Sequence, residues 1–274
     1  MKSYISIAAL SLGAMTAAAS AQFEGKTALG FRNLTTQKYT LNAAASLGMT
    51  TLDTWTEATF YQALASQQWD LLVIEVYNDQ AVIFDKPKFI TTVKDWIAGG
   101  GRLIFTLTNL DEYPELWEPL GIASVKEKSK PHGLRAHPPG NPVYVGGITE
   151  FGFDAWPDNG DELTMLPGAY ECAYFFMLAG EPTASVVYND SRTICNGFDW
   201  DSLSSSPALP QVEYVMYCRG DFDKDMTLTV FDFLAFINSF FSFQPRFCNV
   251  TFDTAVDLFD FTEFQNLFMQ GCKE

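Results

Sequence analysis

The residues with the clearest chemical content lie near the C-terminus, where carboxylates alternate along a short stretch. Asp221, Asp223 and Asp225 are followed by Thr227, Thr229 and Asp232. A 12-residue calcium loop supplies oxygens from positions 1, 3, 5, 9 and 12 and a backbone carbonyl at position 7. These six residues fill those positions in order. Met226 stands where a glycine normally makes the sharp turn at position 6, a substitution that costs strain and affinity. The unit recurs from Asn249 to Asp260, 28 residues on, with Asn249, Thr251, Asp253, the Ala255 carbonyl, Asp257 and Asp260 at the equivalent positions and Thr254 at position 6. Asn and Thr replace acids at its first two positions, so the second loop should bind calcium weakly or stay empty.

The two copies share Asp225/Asp253, Phe231/Phe259, Asp232/Asp260, Phe233/Phe261, Phe236/Phe264, Asn238/Asn266 and Phe240/Phe268, which marks a duplication. After each loop the spacing predicts a helix. Phe233, Phe236, Ile237 and Phe240 form one apolar stripe, and Phe261, Phe264, Leu267 and Phe268 form its counterpart. Two such helices can pack face to face into a small core, and calcium and a disulfide should supply much of the stability of so short a unit.

Two calcium loops that end in Asp, each followed by one helix, resemble a dockerin. The terminal Gly271-Cys272 resembles the GC-type dockerins that end exported bacterial proteins. The resemblance implies Ca2+ as cofactor and a cohesin-like domain on a scaffold or cell-surface protein as partner. Loop positions 10 and 11 would face that partner, here Val230, Phe231, Leu258 and Phe259. Cellulosomal dockerins often carry Ser-Thr there, so the apolar pairs imply an apolar partner surface or self-packing.

Other features fit export. Lys2, an apolar run from Ile5 to Ala19 and the small residues Ala19-Ser20-Ala21 read as a signal peptide over residues 1–21, giving a secreted, periplasmic or cell-surface protein. No segment reads as a membrane span. In an oxidising compartment the five cysteines are expected as disulfide partners. Cys218 with Cys272 would clasp the repeat, and Cys172 with Cys195 is the second expected pair, leaving Cys248. The net charge of −16 and pI near 4.4 argue against a nucleic-acid partner.

Residues 22–217, ahead of the tail at 218–274, alternate apolar runs with amphipathic stretches, as a parallel sheet wrapped by helices does. Strands are expected at Thr27–Phe31, Met49–Leu52, Asp70–Val76, Arg102–Leu107, Val143–Val145, Ser185–Tyr188 and Thr193–Phe198. Helices are expected at Thr40–Leu47, Glu57–Ser66, Pro87–Ala98, Tyr113–Leu120 and Pro207–Tyr217. Lys126–Pro142, with both histidines and four prolines, reads as a long loop. The Asp70–Val76 strand, the Lys88–Ile97 helix with Gly-Gly-Gly-Arg and a strand after it, Leu116-Trp-Glu-Pro-Leu-Gly121 and Asn196-Gly-Phe-Asp-Trp200 resemble the class I glutamine-amidotransferase-like fold. That implies a flavodoxin-like three-layer α/β sandwich, here like its non-catalytic exported relatives.

Active members of that fold carry a cysteine on a sharp turn after a strand, served by a histidine and an acid. The matching turn, Thr108-Asn109-Leu110, has no cysteine. Gly-x-Ser-x-Gly and His-Glu-x-x-His are also missing. His132 and His137 lack a nearby third metal ligand. No catalytic residue is assigned. One catalytic alternative is a carbohydrate-active hydrolase tethered by the tail, pairing Glu75 with Asp154, Asp199 or Asp201, with Trp156 and Trp200 as a sugar platform.

Overall fold

A computed structural model describes residues 22–33, 38–76, 83–107, 109–128, 133–136, 143, 150–152, 160–176, 180–198, 208–223, 225, 227–242, 250–251 and 255–271. Its elements run β1 (Thr27–Asn33), α1 (Tyr39–Ser46), β2 (Thr50–Thr54), α2 (Glu57–Ser66), β3 (Leu71–Val76), α3 (Lys86–Ala98), β4 (Arg102–Leu107), α4 (Pro114–Trp117), β5 (Ile122–Lys128), β6 (Gly133–Ala136), β7 (Glu150–Gly152), β8 (Gly160–Met165), β9 (Tyr170–Phe175), β10 (Thr183–Tyr188), β11 (Thr193–Asn196), α5 (Ala208–Met216), α6 (Val230–Phe241) and α7 (Leu258–Gln270).

The main sheet is ordered β2-β1-β3-β4-β11-β10-β9-β6-β7. Its first five strands are parallel. Numbered among themselves, they stand in the flavodoxin-like order 2-1-3-4-5. Side chains alternate between two cores, as the period of a strand requires. Ala28, Val73, Ile104 and Ile194 face α1 and α5, while Leu29, Phe31, Leu72, Ile74 and Phe105 face α2 and α3. Gly30 allows α1 to lie close to β1, since a Cβ there would come within 2.3 Å of Leu41 Cδ1. Asp85 caps α3, its Oδ1 accepting from the Lys88 N–H, with Pro87 in the first turn.

The wholly parallel sheet expected from the sequence is half of the truth. β10, β9, β6 and β7 extend the sheet antiparallel, and β5 pairs with β8 in a separate two-stranded ribbon. The Lys126–Pro142 stretch is correspondingly not one long loop. Within it β5 continues to Lys128, and β6 enters the sheet with Leu134 buried. Four-residue strands need only the backbone of a neighbour, so they leave little periodicity to read. The expected helix at Tyr113–Leu120 is a short α-helical turn between 3-10 turns. Of the Val143–Val145 strand, only Val143 is described, in a 3-10 conformation.

In the tail, α6 and α7 pack through their phenylalanine stripes. The duplicated pair Phe236 and Phe264 is fully buried and stacked, centroids 4.1 Å apart and planes 3° from parallel. Phe222 meets both rings edge-on. The edge-on arrangement is one that aromatic quadrupoles favour. Among the described residues, no helix is long and apolar enough to cross a membrane.

Candidate functional site

The first acidic loop brings Asp221, Asp223 and Asp225 together, with one carboxylate oxygen from each lying within 4.8 Å of the others. Local hydrogen bonds shape the loop: the Asp225 N–H donates to Asp221 Oδ1 at 3.0 Å, and the Thr227 N–H and hydroxyl donate to Asp225 Oδ1 at 2.8 and 2.6 Å. Those donors from Thr227 lower the Asp225 carboxyl's pKa. Asp223 is raised, by desolvation first and then by the negative charges of Asp232 and Asp225.

The other positions do different work. Asp232 is buried in the first turn of α6 and folds back onto its own loop. Its Oδ1 accepts from the N–H groups of Phe222 and Asp223 at 2.6 and 3.1 Å, and its Oδ2 accepts from the Thr229 N–H at 2.7 Å. Thr229 caps α6, its hydroxyl accepting from the Phe231 N–H at 3.1 Å.

The second copy closes in the same way. Asp260 Oδ1 accepts from the Thr251 N–H at 3.0 Å and the Thr251 hydroxyl at 2.8 Å, and Oδ2 accepts from the Asp257 N–H at 2.9 Å. Asp257 caps α7, accepting from the Phe259 N–H at 2.8 Å. The structure therefore assigns positions 9 and 12 of both loops an architectural task in addition to the ligand role read from the sequence. Thr227 contributes a side-chain contact that the motif does not require. Asn249 and Asp253 lie outside the described residues, and Ala255 is exposed.

Positions 10 and 11 stand at the exposed starts of the two helices. Val230 and Phe231 are 62% and 64% exposed, and Leu258 and Phe259 are 72% and 71% exposed. Large apolar residues at four equivalent positions of a duplication, all outside the small core, are an unusual surface for so acidic a chain.

In the α/β part, a row of polar residues crosses five adjacent strands at one level. Register aligns Arg32 of β1 with Glu75 of β3, Thr106 of β4, Asn196 of β11 and Ser185 of β10. All are buried on the face under α1 and α5. Arg32 makes a bidentate pair with Asp53, both bonds 2.7 Å, and Lys38 adds a contact at 2.9 Å. Burial works to raise the Asp53 carboxyl, but the two cations outweigh it and hold it below its usual value. Glu75 Oε1 accepts from the Thr40 N–H at 3.1 Å. Ser185 donates to Asn196 Oδ1, and Asn196 and Gln211 of α5 exchange two hydrogen bonds of 3.0 and 2.9 Å. Each of these apolar strands carries a polar residue at this level, and only register aligns the five.

Glu75 is thus a buried acid held by α1. Asp154, Asp199, Asp201, Trp156 and Trp200 lie outside the described residues, as do both histidines. Asn109, on the turn after β4 where a nucleophile would stand, adopts left-handed backbone at φ 63°. The next N–H, of Leu110, donates to Asp161 Oδ2 at 3.2 Å. Burial pushes the Asp161 carboxyl up to about 7, against the pull of that N–H and with added repulsion from Asp111 and Glu127. The turn is therefore sharp, carries no thiol, and has its amide engaged by the protein's own acid.

The expected Cys172–Cys195 disulfide does not form. Both are buried free thiols, on β9 and β11 with β10 between them, and they face the cores on opposite sides of the sheet. Cys172 donates to Ser185 Oγ at 2.9 Å, and burial raises the Cys195 thiol well above its usual value. Buried apolar surroundings make such thiols inert. Cys218 is disulfide-bonded; Cys248 and Cys272 lie outside the described residues.

Neither a protein-family model nor a curated relative matches the sequence. Solved structures similar to this chain include a glutamine amidotransferase from Thermotoga maritima at 9% identity and TM-score 0.46, covering 89% of this chain and 94% of that one. Another is a glutamine amidotransferase from Methylobacillus flagellatus at 14% identity and TM-score 0.43, covering 63% and 68%. A ThuA-like protein from Bacteroides uniformis is 10% identical with a TM-score of 0.44, covering 70% and 90%. At these TM-scores the flavodoxin-like description rests on the strand order itself.

Proposed function

We propose that this is an exported protein whose dockerin-like tail attaches it, in the presence of calcium, to a cohesin-like domain on a surface or scaffold partner. The α/β part then serves as the displayed binding or structural module. The observation that carries this reading is the juxtaposition in the tail. Three carboxylates converge beside the start of α6, and the duplicated apolar pairs Val230/Phe231 and Leu258/Phe259 stand exposed at the helix starts.

The donor set suits a hard cation that prefers carboxylate and carbonyl oxygens, and the repulsion among Asp223, Asp225 and Asp232 is what a bound cation would relieve. Asp221, Asp223 and Asp225 would hold it. Asp232 already serves loop N–H groups with both oxygens, so its part in coordination competes with loop closure. Calcium would supply charge neutralisation and loop order, leaving the apolar pairs presented on fixed helix starts.

Calorimetric titration of the full chain with calcium tests this reading. At least one site is expected, and Asp221→Ala/Asp225→Ala should abolish it. Undiminished binding in the double variant would remove the assignment, and a partner retained equally well in chelator would remove calcium dependence.

A further inference from the structure

We infer that the cleft at the C-terminal ends of β1 and β2 is a binding site for a neutral saccharide. Here α2 and α3 pack on the same face of the sheet, and their first turns stand beside the C-terminal end of β1, the end of the strands at which open α/β sheets bind ligands. A cleft of about 500 Å³ lies there, within the usual range for small-molecule sites.

Its walls are aromatic. Trp55, just past β2, is 54% exposed, and the buried Arg32 guanidinium lies 3.9 Å from its ring centroid, so one face is backed by protein and the ring looks outward with the other. Across the cleft Phe84 is 86% exposed, yet its backbone is fixed: Glu57 accepts the N–H groups of Phe84 and Asp85 at 2.5 and 3.2 Å. An apolar ring held out to solvent on an anchored backbone is a costly arrangement that a ligand would repay.

Two polar groups lack partners. The Tyr61 hydroxyl is buried and makes no hydrogen bond among the described residues. Burial, with the charges of Glu57 and Asp85, pushes its pKa up to about 12, so it stays a donor. Asn33, ending β1, lines the same cleft, and its carboxamide has no hydrogen-bond partner among the described residues.

Charge selects the class of ligand. Among the described residues lining the cleft Lys88 is the one cation, set 3.9 Å over the Tyr61 ring, and two acids, Glu57 and Asp85, line it as well. A phosphorylated ligand would meet net negative charge. Both Glu57 oxygens and Asp85 Oδ1 already accept backbone N–H groups, which disfavours a metal. An uncharged ring with apolar C–H faces and hydroxyls on its edge satisfies the aromatic platforms and the Asn33 carboxamide together.

This inference is independent of calcium. The full chain should be titrated with gluco-, xylo-, manno- and galacto-oligosaccharides by saturation-transfer-difference NMR and calorimetry. At least one should bind, about tenfold more weakly in Trp55→Ala and measurably more weakly in Phe84→Ala and Asn33→Ala, with no change in chelator. Trp55 and Phe84 are exposed enough that these variants should keep the wild-type melting temperature. No binding across the panel, equal binding in folded Trp55→Ala and Phe84→Ala, or binding lost in chelator would each overturn the proposal.

Discussion

Buried carboxylates in the two parts of this molecule are treated differently. Asp161, beside the turn after β4, has a carboxyl that accepts one hydrogen bond among the described residues, from the Leu110 N–H, and is pushed up to about 7. Asp232 and Asp260 in the tail are buried as well, but each receives three. Desolvation disfavours the charged form, and donors aimed at the oxygens or cations beside them offset it. Asp232 and Asp260 fasten their loops through these donors, whereas burial of Asp161 makes it a group that changes charge near neutral pH.

The largest effect expected from breaking this contrast is at the fastenings. Asp232→Ala leaves three loop N–H groups without their acceptor and should destabilise the tail by about 3 kcal/mol or more, read as the loss of its thermal or denaturant transition. Asp260→Ala should act similarly. If either variant melts like the parent, the loops are not held by these residues.

Next comes Asp161. Its folded-state pKa of about 7 lies above the ordinary 3.8, so folding takes up a proton between these values. The associated stability is full below about pH 4 and is lost as pH rises to about 7. Asp161→Asn, which stays neutral and can still accept from Leu110, should match the parent near pH 4. At pH 8 it should be more stable, by at most about 4 kcal/mol at roughly 1.4 kcal/mol per unit. Denaturant melts at the two pH values check this, and an equal or lower stability at pH 8 would show that Asp161 is ionised without cost.

The smallest effect concerns the helix caps, where Thr229 and Asp257 do the same work with different chemistry. Thr229→Ala and Asp257→Ala should each cost about 1 kcal/mol. If calcium binding also falls in Thr229→Ala by more than that loss explains, position 9 is a ligand in addition to a cap.

Parts of this design were legible at once. Strand β4 and helix α2 fall on their expected residues, because buried strands and capped helices write their period and their ends into the chain. The duplication shows the same clarity, and Phe236 meets Phe264 as equivalent positions should. The short strands β6, β8 and β9 were not legible, nor was Asp161, whose meaning depends on a turn some fifty residues earlier in the chain.

The amino-acid sequence by itself determined the parallel βα core, the repeated acidic loops and the apolar stripes, since these rest on local spacing. Only the tertiary structure decided that Cys172 and Cys195 stay thiols, that five strands align one buried polar row, and that Asp232 and Asp260 close their loops. Each of those outcomes depends on register and on which donors reach a buried atom. Neither quantity exists until distant segments are brought into contact.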